Sequence, residues 1–156
     1  MTRIRFTETM ATRAALAQFR RDQIVSMLTR DPQMLEAIQK VRASLGLFLK
    51  AFAAPTAGQS SFRVKVAFLK DGTVEHIWLA NLDLSSAKPT GTIANAPQRA
   101  DLRLEQRVEI DLNYLSDWMY VEDGKLVGGF TTRLLRKRMT RDERIKADAN
   151  SSYRIE

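Results

Sequence analysis

Two segments near the start of the chain carry apolar residues at helical spacing. In residues 7–29 they fall near one side of a helix, and in residues 34–52 they recur every three or four positions. Asp31-Pro32 stands directly before the second segment and offers an N-cap followed by a proline at the first helical position. The pattern predicts two N-terminal helices, the second of them continuous, with one apolar stripe that is typical of a core face. The stripe consists of Met34, Ile38, Val41, Leu45, Phe48 and Phe52.

At residue 62 the apolar period changes to two. Residues 62–81 read as two strands joined by Asp71-Gly72, a dipeptide that accepts the positive φ angles of a two-residue type I′ turn. The turn sets the register, in which Lys70 faces Thr73, and so separates a core face from a mixed face. The core face holds Phe62, Val64, Val66, Phe68, Ile77 and Leu79. The mixed face holds Arg63, Lys65, Ala67, Leu69, Val74, His76, Trp78 and Ala80.

A second tight hairpin is predicted over residues 116–130. A second Asp-Gly turn, at residues 123–124, joins strands at residues 118–122 and 125–130. In that register Met119 faces Gly128 and Trp118 faces Gly129, so that each bulky side chain can lie over bare backbone. We expect the last strand to continue through residues 131–135.

Shorter patterns complete the predicted fold. Residues 90–94 and 107–112 read as strands, and Thr140 with Glu143 has the spacing of a capping box that starts a short helix. The predicted fold class is α+β, with two N-terminal helices packed on a compact antiparallel sheet of about five or six strands and a short C-terminal helix. We expect residues 1–33 to be a helical extension, residues 34–146 a single domain and residues 147–156 a flexible tail.

The composition is that of one soluble globular domain. The chain has 156 residues, of which 44% are apolar and 28% charged. No apolar run is long enough to span a bilayer, and arginines interrupt the N-terminal segment where a secretory signal would be apolar. We therefore expect a cytoplasmic bacterial protein without membrane contact. The absence of cysteine excludes disulfides, thiolate metal sites and cysteine nucleophiles.

The net charge of +7 raises the question of nucleic-acid binding. Residues 1–60 hold nine Lys and Arg against four Asp and Glu, residues 61–135 hold nine against ten, and residues 136–156 hold seven against four. The excess lies in the flanks, so the middle of the chain is a poor platform for nucleic acid, although basic ends could contact phosphates. Solubility is the alternative explanation, and the one that we favour.

Common enzyme motifs are absent from the sequence. It contains no GxxxxGK[ST] phosphate loop, no GxGxxG, no GxSxG and no HExxH. A zinc site would have to add carboxylates to His76, the only histidine, so we expect no metal and no cofactor. Glu75, Asp117 and Glu122 could converge for acid-base catalysis, but their spacing does not show it, and the catalytic residues stay unknown.

The mixed face of the first hairpin is the most informative place for function. In one interpretation it is a shallow polar and aromatic site beside Lys65, in which Trp78 offers a stacking surface and His76 a hydrogen-bond donor that switches near neutral pH. In the other, a helix covers this face and both residues make single hydrogen bonds inside a second layer of core. We favour the covered face, while the site interpretation stays open.

Asn95, Asp117 and Trp118 are further candidate site residues. Asp117 stands where the chain enters the second hairpin, next to Trp118, and its carboxylate could cap a turn through its own backbone or face a ligand. Asn95 precedes Ala96-Pro97 and has the same two alternatives. The structural alternative is the one that we favour for both.

Three stretches of the sequence resemble the YegJ-like family, a group of small bacterial domains of unknown function. They are residues 74–78, residues 91–97 and, above all, residues 116–131, SDWMYVEDGKLVGGFT. The resemblance spans about residues 35–145 and implies a compact α+β domain, found alone or attached to other modules, with no established activity or cofactor. The family pattern often has tyrosine where this chain has Phe130, which weakens any idea of a catalytic tyrosine there.

These observations predict a small non-enzymatic bacterial binding or accessory domain. An immunity-type protein that binds a protein partner is one concrete form of it. The alternatives are a hydrolase-like enzyme that uses His76 and a carboxylate, and an accessory nucleic-acid binder that uses the basic termini. The expected partner is a protein or a small molecule. The expected binding residues are His76, Trp78, Lys65, Asn95, Asp117 and Trp118.

Overall fold

The structure is a computed structural model and describes residues 28–156 together with Ile24. The helices are α1 (Pro32–Ala43), α2 (Leu45–Ala53), α3 (Phe130–Arg138) and α4 (Arg141–Ala149). The strands are β1 (Gln59–Lys70), β2 (Thr73–Asp83), β3 (Thr90–Ile93), β4 (Arg107–Glu109), β5 (Leu115–Glu122) and β6 (Lys125–Gly128). They form one antiparallel sheet in the order β4-β3-β2-β1-β5-β6. The predicted α+β fold class is confirmed, while the helix predicted over residues 7–29 lies largely outside the described residues.

Helix α1 begins as the sequence predicts, but it ends early. The Asp31 carboxylate accepts hydrogen bonds from the backbone N–H groups of residues 33 and 34, at 3.0 and 3.3 Å. The prediction of one continuous helix is wrong, because α1 ends at Ala43 and α2 begins at Leu45. Between them the Ser44 hydroxyl donates to the Lys40 carbonyl at 2.6 Å, a local bond of the kind that bends helices. The apolar stripe continues across this break and so conceals it in the sequence.

The first hairpin has the predicted turn and register. Asp71 and Gly72 have φ angles of 51° and 77°, as a type I′ turn requires, and Lys70 pairs with Thr73. Of the predicted core face, Val64, Val66, Ile77 and Leu79 are buried in the main hydrophobic core, and the partly buried Phe62 and Phe68 pack against it. Phe48 and Phe52 of α2 pack against that face. The mixed face is therefore the side of the sheet turned away from α2.

The second hairpin has the predicted turn but is shorter than expected. The register from Met119 opposite Gly128 to Glu122 opposite Lys125 is confirmed. The predicted continuation of the strand through residues 131–135 is wrong, because these residues belong to α3. Gly128 and Gly129, at φ angles of 75° and 63°, turn the chain from the strand into the helix.

The last residues of the chain lie against the sheet, and the flexible tail expected over residues 147–156 stays a prediction. Helix α4 begins with the predicted capping box of Thr140 and Glu143. Beyond it, the backbone of Arg154 pairs with β6, donating to the Gly124 carbonyl and accepting from Leu126 N–H, both at 2.8 Å. The side chains of residues 153 and 155 pack beside β5 and β6 because they are apolar or aromatic. The division into segments at residues 33 and 146 stays a prediction.

Candidate ligand-binding site

A cavity of about 370 Å³ lies against the mixed face of the first hairpin. Helices α1 and α3 cover this face only in part, and the space between them and the sheet is lined by apolar and polar side chains in similar numbers. The apolar lining residues are Leu28, Met34, Ile38, Trp78 and Leu135. The polar lining residues are Thr29, Lys65, His76, Asn95, Ser116 and Thr131. The mixed face is thus neither a bare surface nor a fully packed second core.

Both ring nitrogens of His76 have partners in the cavity wall. Nε2 lies 3.3 Å from the carbonyl oxygen of Leu28, and Nδ1 lies 2.9 Å from the hydroxyl oxygen of Ser116. A carbonyl only accepts, so Nε2 carries the hydrogen. The Ser116 hydroxyl has one hydrogen, which in the neutral ring goes to Nδ1 in place of the longer contact of 3.3 Å with the Lys65 carbonyl oxygen. Burial lowers the pKa of His76, as does the charge of Lys65, while the bond to Leu28 opposes the shift. The neutral ring with its hydrogen on Nε2 is therefore the form that the site favours.

Ser116 reaches His76 because the sheet is irregular at this point. Along β1, Lys65 pairs with Asp117 and Val66 pairs with Leu115, so Ser116 is the extra residue of a β-bulge in β5. A bulge changes the direction in which a strand presents its side chains. The Ser116 side chain is almost entirely buried, at 1% exposure. The bulge thus supplies a hydroxyl to a histidine that lies two strands away.

Lys65 is a buried cation in the wall of the cavity. It lies between Trp78 on β2 and Asp117 on β5, and only 9% of the residue is exposed. Its ammonium nitrogen lies 5.1 Å from the centre of the Trp78 ring, within the range of a cation–π interaction. Burial lowers the pKa of Lys65, whereas the charge of Asp117 raises it.

Asn95 and Trp78 are held together through the backbone. The Asn95 side-chain oxygen accepts a hydrogen bond from the Trp78 N–H at 2.7 Å, and the Trp78 carbonyl accepts one from Ala94 N–H at 2.8 Å. The first bond fixes the orientation of the Asn95 amide, because only its oxygen can accept. Asn95 therefore contributes to the structure of the site and also lines the cavity.

Asp117 lies behind the cavity wall and caps a helix. Its carboxylate accepts hydrogen bonds from Phe130 N–H at 3.1 Å, from Thr131 N–H at 2.9 Å, from the Thr131 hydroxyl and from its neighbour Trp118 N–H at 2.9 Å. Phe130 and Thr131 begin α3, and the N-cap residue Gly129 has no side chain to cap it. Burial raises the pKa of the Asp117 carboxyl, while these donors and Lys65 oppose the shift.

Trp118 points away from the cavity into the main core. Its indole nitrogen donates to the Val41 carbonyl at 3.1 Å, and its ring packs against Phe48, Tyr120 and Phe130. Only 1% of the residue is exposed. Trp118 is thus separated from Trp78 by the thickness of the sheet.

A match to a family model identifies the protein family of this chain. A family model described as an uncharacterized protein conserved in bacteria, DUF2314, matches residues 31–153. The chain belongs to the DUF2314 family. The match includes every described lining residue of the cavity except Leu28 and Thr29.

Two relatives extend this result and confirm the resemblance predicted from the sequence. The chain is 30% identical over 99 residues to the uncharacterized protein YegJ of Escherichia coli K12, a match that covers 63% of each chain. It is 33% identical over 91 residues to a protein of Neisseria meningitidis serogroup B named as an ankyrin repeat protein, a match that covers 55% of this chain and 36% of the relative. The matches thus span about a third of one relative and just under two thirds of the other. No solved structure matches the chain.

The described part of this DUF2314 member lacks two further features, a membrane-spanning helix and a cluster of metal ligands. Among the described residues, no helix is both long and apolar enough to cross a membrane. The same residues contain no group of three or more His, Cys, Asp or Glu side chains placed to hold a metal ion.

The structure brings four of the six predicted site residues to one cavity. Lys65, His76, Trp78 and Asn95 line it, Asp117 lies behind its wall, and Trp118 lies on the opposite side of the sheet. Sequence reasoning missed two polar lining residues of β5 and α3, Ser116 and Thr131. The position of Ser116 in the cavity depends on a β-bulge that the residue pattern does not predict. The only sequence feature that indicates the position of Thr131 outside the strand is the pair of glycines before it, because glycines often mark the end of a strand.

Proposed function

We propose that this DUF2314 member is a small binding domain that takes a ligand into the cavity beside His76 and Lys65. The observation that carries the proposal is the cavity itself, which combines apolar walls with a few convergent polar groups. That combination is characteristic of sites for small molecules and for short segments of partner proteins. The volume of about 370 Å³ lies at the small end of the range for such sites.

The geometry supports binding better than hydrolysis. A hydrolase that used His76 and a carboxylate would need the two in hydrogen-bond contact, and no described carboxylate bonds to the ring. The Asp117 carboxylate already accepts hydrogen bonds at the start of α3. Ser116, whose side chain is the only described one that bonds to His76, is only 1% exposed. A buried hydroxyl is poorly placed to attack a substrate.

Nucleic-acid binding through the basic C-terminal segment has less support. Arg136 pairs with Asp148 at 2.7 Å and Arg138 pairs with Asp31 at 2.5 Å. A guanidinium already held by a carboxylate is less available to a phosphate. Because Asp148 is already counted among the four acidic residues of this segment, only the pair with Asp31 offsets one charge of the excess in residues 136–156.

A protein partner is the form of the proposal that agrees best with the relatives. One relative is named as an ankyrin repeat protein, and ankyrin repeats build extended binding surfaces. The region shared with this chain makes up 36% of that protein. An immunity-type protein, which binds and blocks one partner, is the concrete example that we propose.

The proposal is tested by blocking the cavity from its rim. Leu135 lines the cavity and is 45% exposed, so Leu135→Trp can fill the space with little effect on folding. Leu104→Trp is the matched control, because Leu104 is 53% exposed and does not line the cavity. A panel of small acids, amides and amines is titrated into the ¹⁵N-labelled full chain, and amide signals are followed by NMR.

We expect at least one class of compound to shift the signals of His76, Trp78 and Asn95. Leu135→Trp should abolish these shifts and Leu104→Trp should preserve them. The proposal fails if no compound at millimolar concentration shifts these signals, or if Leu135→Trp binds as well as the original chain.

A further inference from the structure

Lys65 presents a positive charge to the cavity that no described residue satisfies. Its ammonium group makes a cation–π contact with Trp78, but it forms no hydrogen bond or ion pair with any described residue. Lys65 keeps limited exposure, and a mostly buried ammonium group is stabilised by a partner of opposite charge. With only 9% of Lys65 exposed, this cation faces a space that a ligand could fill.

Asp117 does not form a hydrogen bond or ion pair with the Lys65 ammonium group. Its two oxygens accept hydrogen bonds from three backbone N–H groups and from the Thr131 hydroxyl, which together use the four acceptor sites of a carboxylate. Asp117 therefore acts on Lys65 through its charge alone. That charge raises the pKa of Lys65 against the effect of burial and so favours the ammonium form.

Asn95 also keeps hydrogen-bond donors in the site that no described residue uses. The Asn95 oxygen is used by Trp78 N–H, whereas its two amide N–H groups have no partner among the described residues. His76 offers nothing further, since both ring nitrogens are engaged. A ligand that completes this site must therefore bring hydrogen-bond acceptors, and an anionic acceptor suits Lys65 best.

The number of charges and the apolar lining restrict the ligand further. Among the described lining residues only Lys65 and His76 are basic, and the lowered pKa of His76 favours its neutral ring, so Lys65 matches a single negative charge better than a phosphate dianion. Leu28, Met34, Ile38 and Leu135 offer an apolar surface to the rest of the molecule. A carboxylate on a compact apolar body has both properties.

On the basis of the proposed function, we propose that this cavity binds a carboxylate carried on an apolar group, with Lys65 as its counter-ion and the Asn95 amide as a second donor. Two sources have this chemistry. One is a free organic acid, and the other is the C-terminal carboxylate of a peptide that ends in an apolar residue.

The test compares acids with their neutral amides on the full chain. The free-acid arm uses 4-phenylbutanoate and 4-phenylbutanamide, and the peptide arm uses acetyl-Gly-Gly-Leu with a free or an amidated C-terminus. Binding is followed through the NMR signals of Trp78 and Asn95. In at least one arm we expect the acid to bind tenfold or more tightly than its amide, and the arm that responds identifies the source.

Lys65→Met is the decisive variant, because it removes the charge and keeps most of the chain length. It should abolish the preference for acid over amide, while Lys65→Arg should retain it. Lys70→Met is the control, since Lys70 lies on the same strand with its side chain half exposed. If Lys65→Met does not fold, binding of the acid and amide pairs to the original chain still shows whether the cavity prefers a carboxylate.

Three experimental outcomes would contradict the inference. Equal binding of acid and amide overturns it and leaves the proposed function standing. An unchanged acid preference in a folded Lys65→Met variant also overturns it. Binding of neither compound in either arm contradicts the carboxylate inference, and failure of the whole compound panel would remove the proposed function as well.

Discussion

The carboxylate of Asp117 accepts hydrogen bonds from both the backbone N–H and the hydroxyl of Thr131. Asp117 lies on β5 and Thr131 in the first turn of α3, so a strand residue caps a helix that begins 13 residues later. The cap lies directly behind the wall of the candidate site. Its loss should therefore affect both the stability of the fold and the geometry of Lys65.

We predict that Asp117→Ala lowers the free energy of unfolding by about 3 kcal/mol, because it leaves buried N–H groups at the start of α3 without an acceptor. Urea denaturation measures this change. Asp83→Ala is the control, since Asp83 is exposed and its carboxylate bonds only to Ser85 among the described residues, and its midpoint should hardly move. Equal midpoints for the two variants would contradict the capping role.

Protonation of His76 should destabilise the fold. Because burial lowers the pKa of His76 in the folded state, the unfolded chain binds the proton more tightly. Stability should therefore be complete above the unfolded pKa of about 6.5 and decline as pH falls below it. His76 is the only histidine, so its ring signals can be followed by NMR without ambiguity.

The control for this pH dependence is His76→Gln, which cannot titrate. Urea midpoints at pH 7.5 and 5.5 should differ less for this variant than for the original chain. A His76 ring that titrates at or above 6.5, or an equal pH dependence in both proteins, would contradict the prediction.

Gly128→Ala should be strongly destabilising. An added Cβ would lie 2.5 Å from the Trp118 ring, at a backbone φ of +75° that L-residues rarely adopt. We expect a loss of about 3 kcal/mol from the combined clash and strain. Gly72→Ala separates the two causes, because Gly72 has a similar φ of +77° and open space around it. Gly72→Ala should cost only about 1 kcal/mol, and equal losses would show that the contact with Trp118 is unimportant.

The ion pair between Asp31 and Arg138 joins the start of α1 to the end of α3. The hydrogen bond from Arg138 lowers the pKa of Asp31 to about 2. A carboxyl with a lowered folded pKa stabilises the protein above its unfolded pKa of 3.8, and this contribution is lost as pH falls toward 2. Arg138→Gln should therefore lower the melting temperature at pH 7 and have less effect at pH 3. Lys137→Gln, on the neighbouring residue, should show no such dependence on pH.

Local chemistry made part of this fold predictable. Asp71-Gly72 sets the register of the first hairpin because few residues accept two successive positive φ angles, and Thr140 with Glu143 marks a helix start by side-chain bonds three residues apart. The break at Ser44 was missed because the apolar spacing continues through it.

The candidate site was less predictable because it depends on distant parts of the chain. Lys65, His76 and Trp78 share a face by strand alternation, which the sequence shows. The contact of His76 with Ser116 needs a bulge 40 residues away, and the role of Asp117 depends on a helix that follows the hairpin. A period of two in β5 does not decide which face Trp118 takes once a bulge has shifted the register.

The pairing of the last residues with β6 has a consequence for the solution behaviour of the protein. An uncovered edge strand offers free N–H and C=O groups to other chains and invites aggregation. Here Arg154 occupies part of that edge, and at the opposite edge β4 has only three residues. The chain thus protects part of one sheet edge with its own backbone, and removing residues 151–156 should expose that edge and increase edge-to-edge association.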